Sequence, residues 1–466
     1  MDVLLINPNS RKEDSVEEIP LVTPPINLMY AAQSMENSGY DVSILDSFAM
    51  NMGQQEILRH VRQEDPEVVG IPLYSSDLSR MHTLTKMIKD ENPERKIFFA
   101  GHHATALHKE VMEQFPNVDY LVRGEGEFSS VKLLDAIENE SDLSKIKGIS
   151  YREDKKNFHN PEDNPIGDLD DVAIPNRRFI NKKLYHSKMS KRDNVDVIIT
   201  TRGCPYKCTF CAKLTEDFRS YRERSIPNVI EEMQLIQENG INGLEIYDEI
   251  FTIKRKRVME FIDAVKKEKL DFEFRIRTRA THVDDEMLRG LSKIGCSTIS
   301  YGVESGNQQI LNNIKKETTT KIIEDAFRRT EKNNINVLGF FMIGNKGETP
   351  QTIRETIDFA KRLNPLFATF GVLHPYPATM DYVEAKLNKS LQGDYAPFKP
   401  MPWIKLPWTK DIKQLYDFSD KAYEEYYKRP KYIAKFIKSS ISQSNLNLLT
   451  YSLRNFYKRL SRLNGI

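Results

Sequence analysis

Short runs of consecutive apolar residues alternate with helix-periodic stretches through the first third of the chain. Val3-Leu4-Leu5-Ile6 reads as a strand ending in Asn7-Pro8-Asn9-Ser10, and the spacing predicts a helix over 25–38, stopped by Gly39. Further apolar runs follow at 42–45, 68–71, 97–100 and 120–122, each leading into a polar or glycine-containing loop. Between them, Met81, Leu84, Met87 and Ile88 carry the helical period. Strands that are apolar throughout rather than alternating are buried on both faces, so residues 1–150 predict a doubly wound parallel sheet. Ligands of such sheets bind beyond the carboxyl ends of the strands.

Residues 151–193 break the pattern. They are rich in Asp, Asn, Lys and Pro and read as a linker draped over the surface. Alternation resumes at 194, with six strands expected at 195–200, 243–247, 272–276, 298–302, 336–343 and 367–373. Amphipathic helices are expected at 226–239, 255–268, 284–293, 319–333 and 349–363. Six such units over 194–380 make a partial or whole barrel, with its chemistry at the C-terminal strand ends. The remainder, 381–466, shows no strand pattern and reads as mainly helical. After Pro430 it is basic, with Lys431, Lys435, Lys438, Arg454, Lys458, Arg459 and Arg462 and no acidic residue. Leu446, Leu449, Leu453, Phe456, Leu460 and Leu463 share one helical face there. Such a helix either packs on the barrel or rests at an anionic membrane surface.

Composition narrows the class. Hydrophobic residues make up 39% and charged residues 29%, enough of each for a packed core and a solvated surface, which excludes a disordered or fibrous chain. The net charge of +1 gives no electrostatic case for nucleic acid. No apolar run approaches the roughly 20 residues of a membrane span, and the start MDVLLINPNSRKEDS lacks the features of a signal peptide, so a cytoplasmic protein is expected. Of only four cysteines, three lie together, which is the pattern of a metal site rather than a disulfide framework.

Those three are Cys204, Cys208 and Cys211, in the segment Thr201-Arg202-Gly203-Cys204-Pro205-Tyr206-Lys207-Cys208-Thr209-Phe210-Cys211 directly after the first barrel strand. Three thiolates on one short loop can hold three corners of an iron–sulfur cubane and leave the fourth iron open. Structural zinc would want a fourth ligand nearby, and the next histidine is His282. Buried thiols without a ligand are the other plain reading, and the one that fits Cys296. Ends of barrel strands also carry Asp248, Glu249, Arg277 and Glu304. The competing reading for Asp248 is a turn cap, and for Arg277 and Arg279 a solvated surface.

Residues 195–380 resemble the radical S-adenosylmethionine superfamily, which carries this cysteine loop. The resemblance implies a [4Fe-4S] cluster whose open iron is chelated by S-adenosylmethionine. One electron then breaks a carbon–sulfur bond and yields a 5′-deoxyadenosyl radical. It also implies contacts to S-adenosylmethionine from Phe210, beside the adenine, and from Asp248, Glu249 and Arg277. Tyr301-Gly302-Val303-Glu304-Ser305-Gly306 resembles the fourth-strand motif and brings in Glu304 and Ser305. Residues 340–349 resemble the fifth-strand motif and bring in Gly344, although Asn345-Lys346 stands where relatives have a proline-containing turn.

The N-terminal sheet ahead of such a barrel resembles the branch with a Rossmann-like cobalamin-binding domain, which includes an anaerobic magnesium-protoporphyrin IX monomethyl ester cyclase and hopanoid methylases. The matching residues are Pro24-Pro25-Ile26-Asn27-Leu28, the run from Ala100 to Thr105, and Arg123-Gly124-Glu125-Gly126-Glu127. By that likeness the cobalamin contacts are Ser75, Ser76, Gly101, His102, His103, Ala104, Gly124, Glu125 and Gly126. The Asp-x-His-x-x-Gly cobalt-ligand signature is absent, so a domain that has become a substrate or partner platform stays open, as does a non-enzymatic corrinoid sensor or carrier. Too few cysteines remain for the second cluster that methylthiotransferases and sulfur-inserting enzymes need. What remains is methyl transfer or cyclisation on a small-molecule or lipid substrate, with an electron donor such as flavodoxin or ferredoxin.

Overall fold

The computed structural model describes residues 1–11, 21–192, 194–212 and 219–442. Two sheets organise it, the first mostly parallel and the second wholly so. The first contains β1 (Asp2–Asn7), β2 (Asp41–Asp46), β3 (Val68–Pro72), β4 (Lys96–Ala100), β5 (Tyr120–Val122), β6 (Ile149–Glu153) and β7 (Lys156–His159). Their order is β2-β1-β3-β4-β5-β6-β7. The first five are parallel, and the order reverses between β1 and β3, which is where a doubly wound sheet opens its crevice. Leu4, Leu5, Ile6, Val69, Ile97 and Phe99 are all 0–1% exposed, as expected for strands covered on both faces.

The expected boundary at residue 150 falls inside β6. β6 pairs antiparallel with β5, and β7 pairs antiparallel with β6, so the sheet runs on to His159. Asp154 and Lys155 both have positive φ, 47° and 63°, the geometry of a two-residue hairpin turn. That turn usually announces itself by glycine or asparagine, and Asp-Lys hid it.

The second sheet is β8 (Val195–Ile198), β9 (Gly243–Ile246), β10 (Glu273–Thr278), β11 (Cys296–Glu304), β12 (Asn336–Ile343) and β13 (Phe367–Val372), parallel and in sequential order. It is the expected six-stranded partial barrel. Helix starts coincide with caps written in the sequence: Ser225, Asp284, Thr319 and Thr349 each accept a backbone N–H at the head of the next helix. Cys296 is 3% exposed, a core thiol whose pKa burial pushes up.

The C-terminal region ties the two units together. Tyr382 and Tyr395 belong to the core of the first sheet, and Phe398 N donates to Ser79 Oγ at 2.7 Å. A helix, Lys413–Tyr427, then returns to the barrel edge, where the Tyr427 hydroxyl accepts from Ala368 N at 2.9 Å and donates to Ala368 O at 2.7 Å. It thereby satisfies backbone groups an edge strand would otherwise expose. The last described helix, Pro430–Ser442, buries Tyr432 and Phe436 on the barrel, and Lys435 pairs with Glu331 at 2.5 Å. That part of the basic tail is docked; the leucine stripe at 446–463 lies outside the described residues. No described helix is long and apolar enough to cross a membrane.

Candidate functional site

The cysteine loop leaves β8 through Thr200 and Thr201, and Asp248 holds that exit. Its Oδ1 accepts from Thr200 N (2.7 Å) and Thr201 N (3.1 Å), and its Oδ2 accepts from Thr200 Oγ1 (2.6 Å). Asp248 is 0% exposed, and burial pushes its carboxyl pKa up while these hydrogen bonds oppose the rise. With both oxygens engaged, it shapes the loop rather than reaching toward a donor, so the turn-cap reading describes it. Residues Thr201–Arg202 pair antiparallel with Arg222–Glu223, which closes the loop at its base. Gly203, at φ +91°, sits where a Cβ would run into the Ser220 carbonyl.

Within the loop, Cys208 is buried and Cys204 and Cys211 are partly exposed. Thr209 N donates to Ile314 O (3.1 Å) and Thr209 O accepts from Asp381 N (3.1 Å), so the loop is pinned from two sides. Among the described residues no three Cys, His, Asp or Glu side chains converge on one point, as a single ion needs. A cubane asks for a different donor set, one thiolate at each of three corners, and three loop cysteines supply it. Arg279, which the sequence reads as solvated, is instead 7% exposed and donates from Nη1 to Cys208 Sγ at 3.5 Å.

Beside the loop, Phe210 is partly buried with the Lys316 ammonium 5.7 Å from its ring centroid. Lys316 Nζ donates to Glu304 Oε1 at 2.7 Å. Glu304 has φ +65°, at the point where the β11–β12 register skips a residue. A non-glycine residue in the left-handed region is strained, and such strain collects at functional sites. Ser305 is fully buried, with its Oγ 3.0 Å from Thr356 Oγ1, and serves the turn. Gly344, at φ +99°, donates its N–H to Glu348 Oε2 at 2.5 Å. Burial raises the Glu348 carboxyl to about 7. Glu249 and Arg277 are exposed, and the Arg277 guanidinium lies 4.2 Å from the Tyr247 ring centroid.

A cavity of about 680 Å³ opens between the carboxyl ends of the first sheet and the cysteine loop. Its floor includes residues 24–28, Tyr74, Gly101, His102 and 124–127; its roof includes Thr201, Arg202, Gly203, Ala212, Tyr247 and Glu249. Gly101 and Gly124 have φ of +90° and +80°, and at Gly70 a Cβ would strike Phe98 and Leu5, so the floor needs these glycines. The volume suits an organic cofactor, and this donor-poor, glycine-floored crevice suits a corrin held by its edges. Five of the residues assigned to cobalamin line it: Gly101, His102, Gly124, Glu125 and Gly126.

The other four lie elsewhere. His103 is 1% exposed beneath the floor, its Nδ1 2.8 Å from Ser75 Oγ and its ring edge-on to Tyr395 at 5.5 Å. Burial lowers its pKa to about 4, so it is neutral. Ala104 is core, and Ser76 is exposed outside the cavity. Sequence reasoning missed Tyr74 and Arg202. It also missed that Glu125 and Glu127 carry an ionic seam: Arg222 pairs with Glu125 (2.8 Å), and Arg202 with Glu125 (3.3 Å) and Glu127 (2.5 Å). Burial works to raise the Glu125 pKa, but Arg222 and Arg202 hold it below the usual carboxylate value. Opposite charges at 125, 127, 202 and 222 were the only signal in the sequence, and nothing there said they met.

Comparison with known proteins agrees with this geometry. Residues 198–360 match the model of the radical SAM superfamily, and residues 14–134 match that of the B12 binding domain. An uncharacterised methyltransferase of Pyrococcus horikoshii is 31% identical over 94% of this chain and 95% of its own. An anaerobic magnesium-protoporphyrin IX monomethyl ester cyclase of Rubrivivax gelatinosus is 28% identical over 91% of this chain and 79% of its own. Among solved structures, the radical S-adenosylmethionine methyltransferase TsrM from Kitasatospora setae, with cobalamin and a [4Fe-4S] cluster bound, shares the fold with a TM-score of 0.73. It is 17% identical over 92% of this chain and 89% of that one. The three-cysteine loop on a barrel strand, facing a glycine-floored cavity at the end of a doubly wound sheet, therefore belongs to a cobalamin-dependent enzyme of the radical S-adenosylmethionine superfamily, in the branch with a B12-binding domain, which uses a [4Fe-4S] cluster and S-adenosylmethionine.

Proposed function

We propose that the chain is a methyltransferase that acts on an unactivated carbon of a small-molecule or lipid substrate. The observation that carries this reading is the shared cavity: residues of the cysteine loop roof the same space whose floor is the B12-binding domain. A substrate held there would meet both cofactors without leaving the protein. When bound, the cluster supplies the electron that breaks a carbon–sulfur bond of S-adenosylmethionine, and cobalamin supplies the methyl group. The chain's own residues hold and orient. Cys204, Cys208 and Cys211 take three irons; Phe210 and the Glu304–Lys316 pair flank the donor; Glu249 lines the cavity, and Arg277 stacks on Tyr247 of its roof. Residues 101–102 and 124–126 cradle the corrin. In this division of labour, 1–159 serves cobalamin, 194–380 serves the cluster and its donor, and 381–442 joins them. The named methyltransferase similar across nearly the whole chain favours methyl transfer; the named cyclase relative keeps oxidative cyclisation as the second reading.

Radical enzymes of this superfamily need a one-electron reductant, and flavodoxin or ferredoxin suits that role. The test is anaerobic reconstitution with cobalamin, reductant and methyl-labelled S-adenosylmethionine, using metabolite and lipid extracts of a deletion strain as substrate. Methyl transfer predicts a labelled product together with 5′-deoxyadenosine and S-adenosylhomocysteine. 5′-Deoxyadenosine with an unlabelled, oxidised product would replace methyl transfer by cyclisation.

A further inference from the structure

We propose that Arg279 sets the reduction potential of the cluster by holding a permanent positive charge against the Cys208 sulfur. Guanidinium does not deprotonate in proteins, so a buried Arg279 is a buried charge. Burying a charge is costly unless something pairs with it. Among the described residues, its recorded partners are the Cys208 sulfur, the Lys316 carbonyl and the face of Tyr206, whose ring centroid lies 3.6 Å from Cζ. None is a carboxylate. The neighbouring cation, Lys316, spends its charge on Glu304 at 2.7 Å. Among the described residues, the group that can match the charge of Arg279 is therefore thiolate sulfur.

The side chain is also fixed in place. Tyr206, on which it stacks, is held at its hydroxyl by His282 Nε2 (2.5 Å) and at its carbonyl by Arg219 Nη1 (2.7 Å). Both neighbours of the stack thus come from outside the three-cysteine segment, and they orient one N–H toward the innermost thiol. Cys208 is 6% exposed, so water screens this contact little. Net charge and hydrogen bonds to sulfur are among the levers that set cluster potentials. One electron enters from the reductant, no proton accompanies it, and Arg279 stays charged throughout. The reduced state carries one more negative charge than the oxidised state, so a fixed cation beside the sulfur favours it and raises the potential. This inference does not depend on the substrate or on methyl transfer.

The experiment is a redox titration of the full-length, anaerobically reconstituted protein, followed by the electron paramagnetic resonance signal of the reduced cluster. R279Q should shift the midpoint to more negative potential, lowering the reduced-to-oxidised ratio at a fixed potential about tenfold, which is about 59 mV for one electron. R279K, which keeps the charge, should shift it less. An R279Q protein with wild-type iron and sulfide content and an unchanged midpoint would overturn the proposal. If R279Q cannot hold iron, wild-type protein decides. Pulsed resonance on protein grown with ¹⁵N-arginine should show a nitrogen coupling to the reduced cluster, and its absence would also overturn it.

Discussion

Single residues carry the chemistry here through charge and proton inventory. Alanine at Cys204, Cys208 or Cys211 should abolish iron binding, read as loss of iron and sulfide content, with the circular dichroism of the fold retained. The Glu304–Lys316 pair is buried, so removing one partner leaves an uncompensated charge. Lys316→Met should cost about 3 kcal/mol in chemical denaturation, and adding Glu304→Gln should restore part of it. His103 gives a pH signature. Its folded pKa of about 4 lies below the ordinary 6.5, so below pH 6.5 the unfolded chain gains a proton that the folded protein refuses. The stability it contributes is complete above pH 6.5, falls as pH is lowered and levels off below about 4. The loss is about 3 kcal/mol. Urea unfolding across that range should show wild type losing about 3 kcal/mol more than His103→Gln as pH falls from 6.5 to 4, the opposite contribution of Glu348 being common to both. At this scale the sequence was legible where chemistry is intrinsic to residue type, as in the thiols, and illegible where it depends on company. Asp248 looked like a ligand and is a cap; Arg279 looked solvated and touches sulfur.

Among the elements, the cysteine loop is the least forgiving. Gly203→Ala would combine a strained backbone with a collision against the Ser220 carbonyl. The loop base would have to open, so iron content should fall sharply while both sheets stay folded, a split that hydrogen exchange can resolve by segment. The parallel strands were legible because continuous burial forces continuous apolarity. β12 lies where its pattern placed it, at Asn336–Ile343. The β6–β7 hairpin was not, because β7 is exposed or half exposed along its length and the turn uses left-handed Asp154 and Lys155 rather than glycine. The lengthening of β11 to Glu304 was equally hidden, since the register skip lets a strand continue past the point where its alternation fails.

For the whole molecule, the seam of Glu125, Glu127, Arg202 and Arg222 couples the two cofactor loops. Arg222 also donates to the Ile166 carbonyl, so it binds the linker as well. Arg222→Met should weaken that seam by a few kcal/mol, on the order expected for a broken buried pair. Hydrogen exchange should then rise together at 122–127 and 201–212, with the centres of both sheets unchanged. Rise in only one loop would mean the halves are positioned independently. How the units meet could not be read from sequence, because it rests on pairings between residues far apart in the chain. The crossing made by Tyr395 and Phe398 has a consequence in time. Tyr395 closes the packing around His103, yet at about 5–20 residues per second it leaves the ribosome tens of seconds after His103 does. The cobalamin-binding half is therefore synthesised first and its core completed last. During that interval the packing beneath the cavity floor lacks Tyr382 and Tyr395, so the core of the first sheet is completed only when the last quarter of the chain arrives.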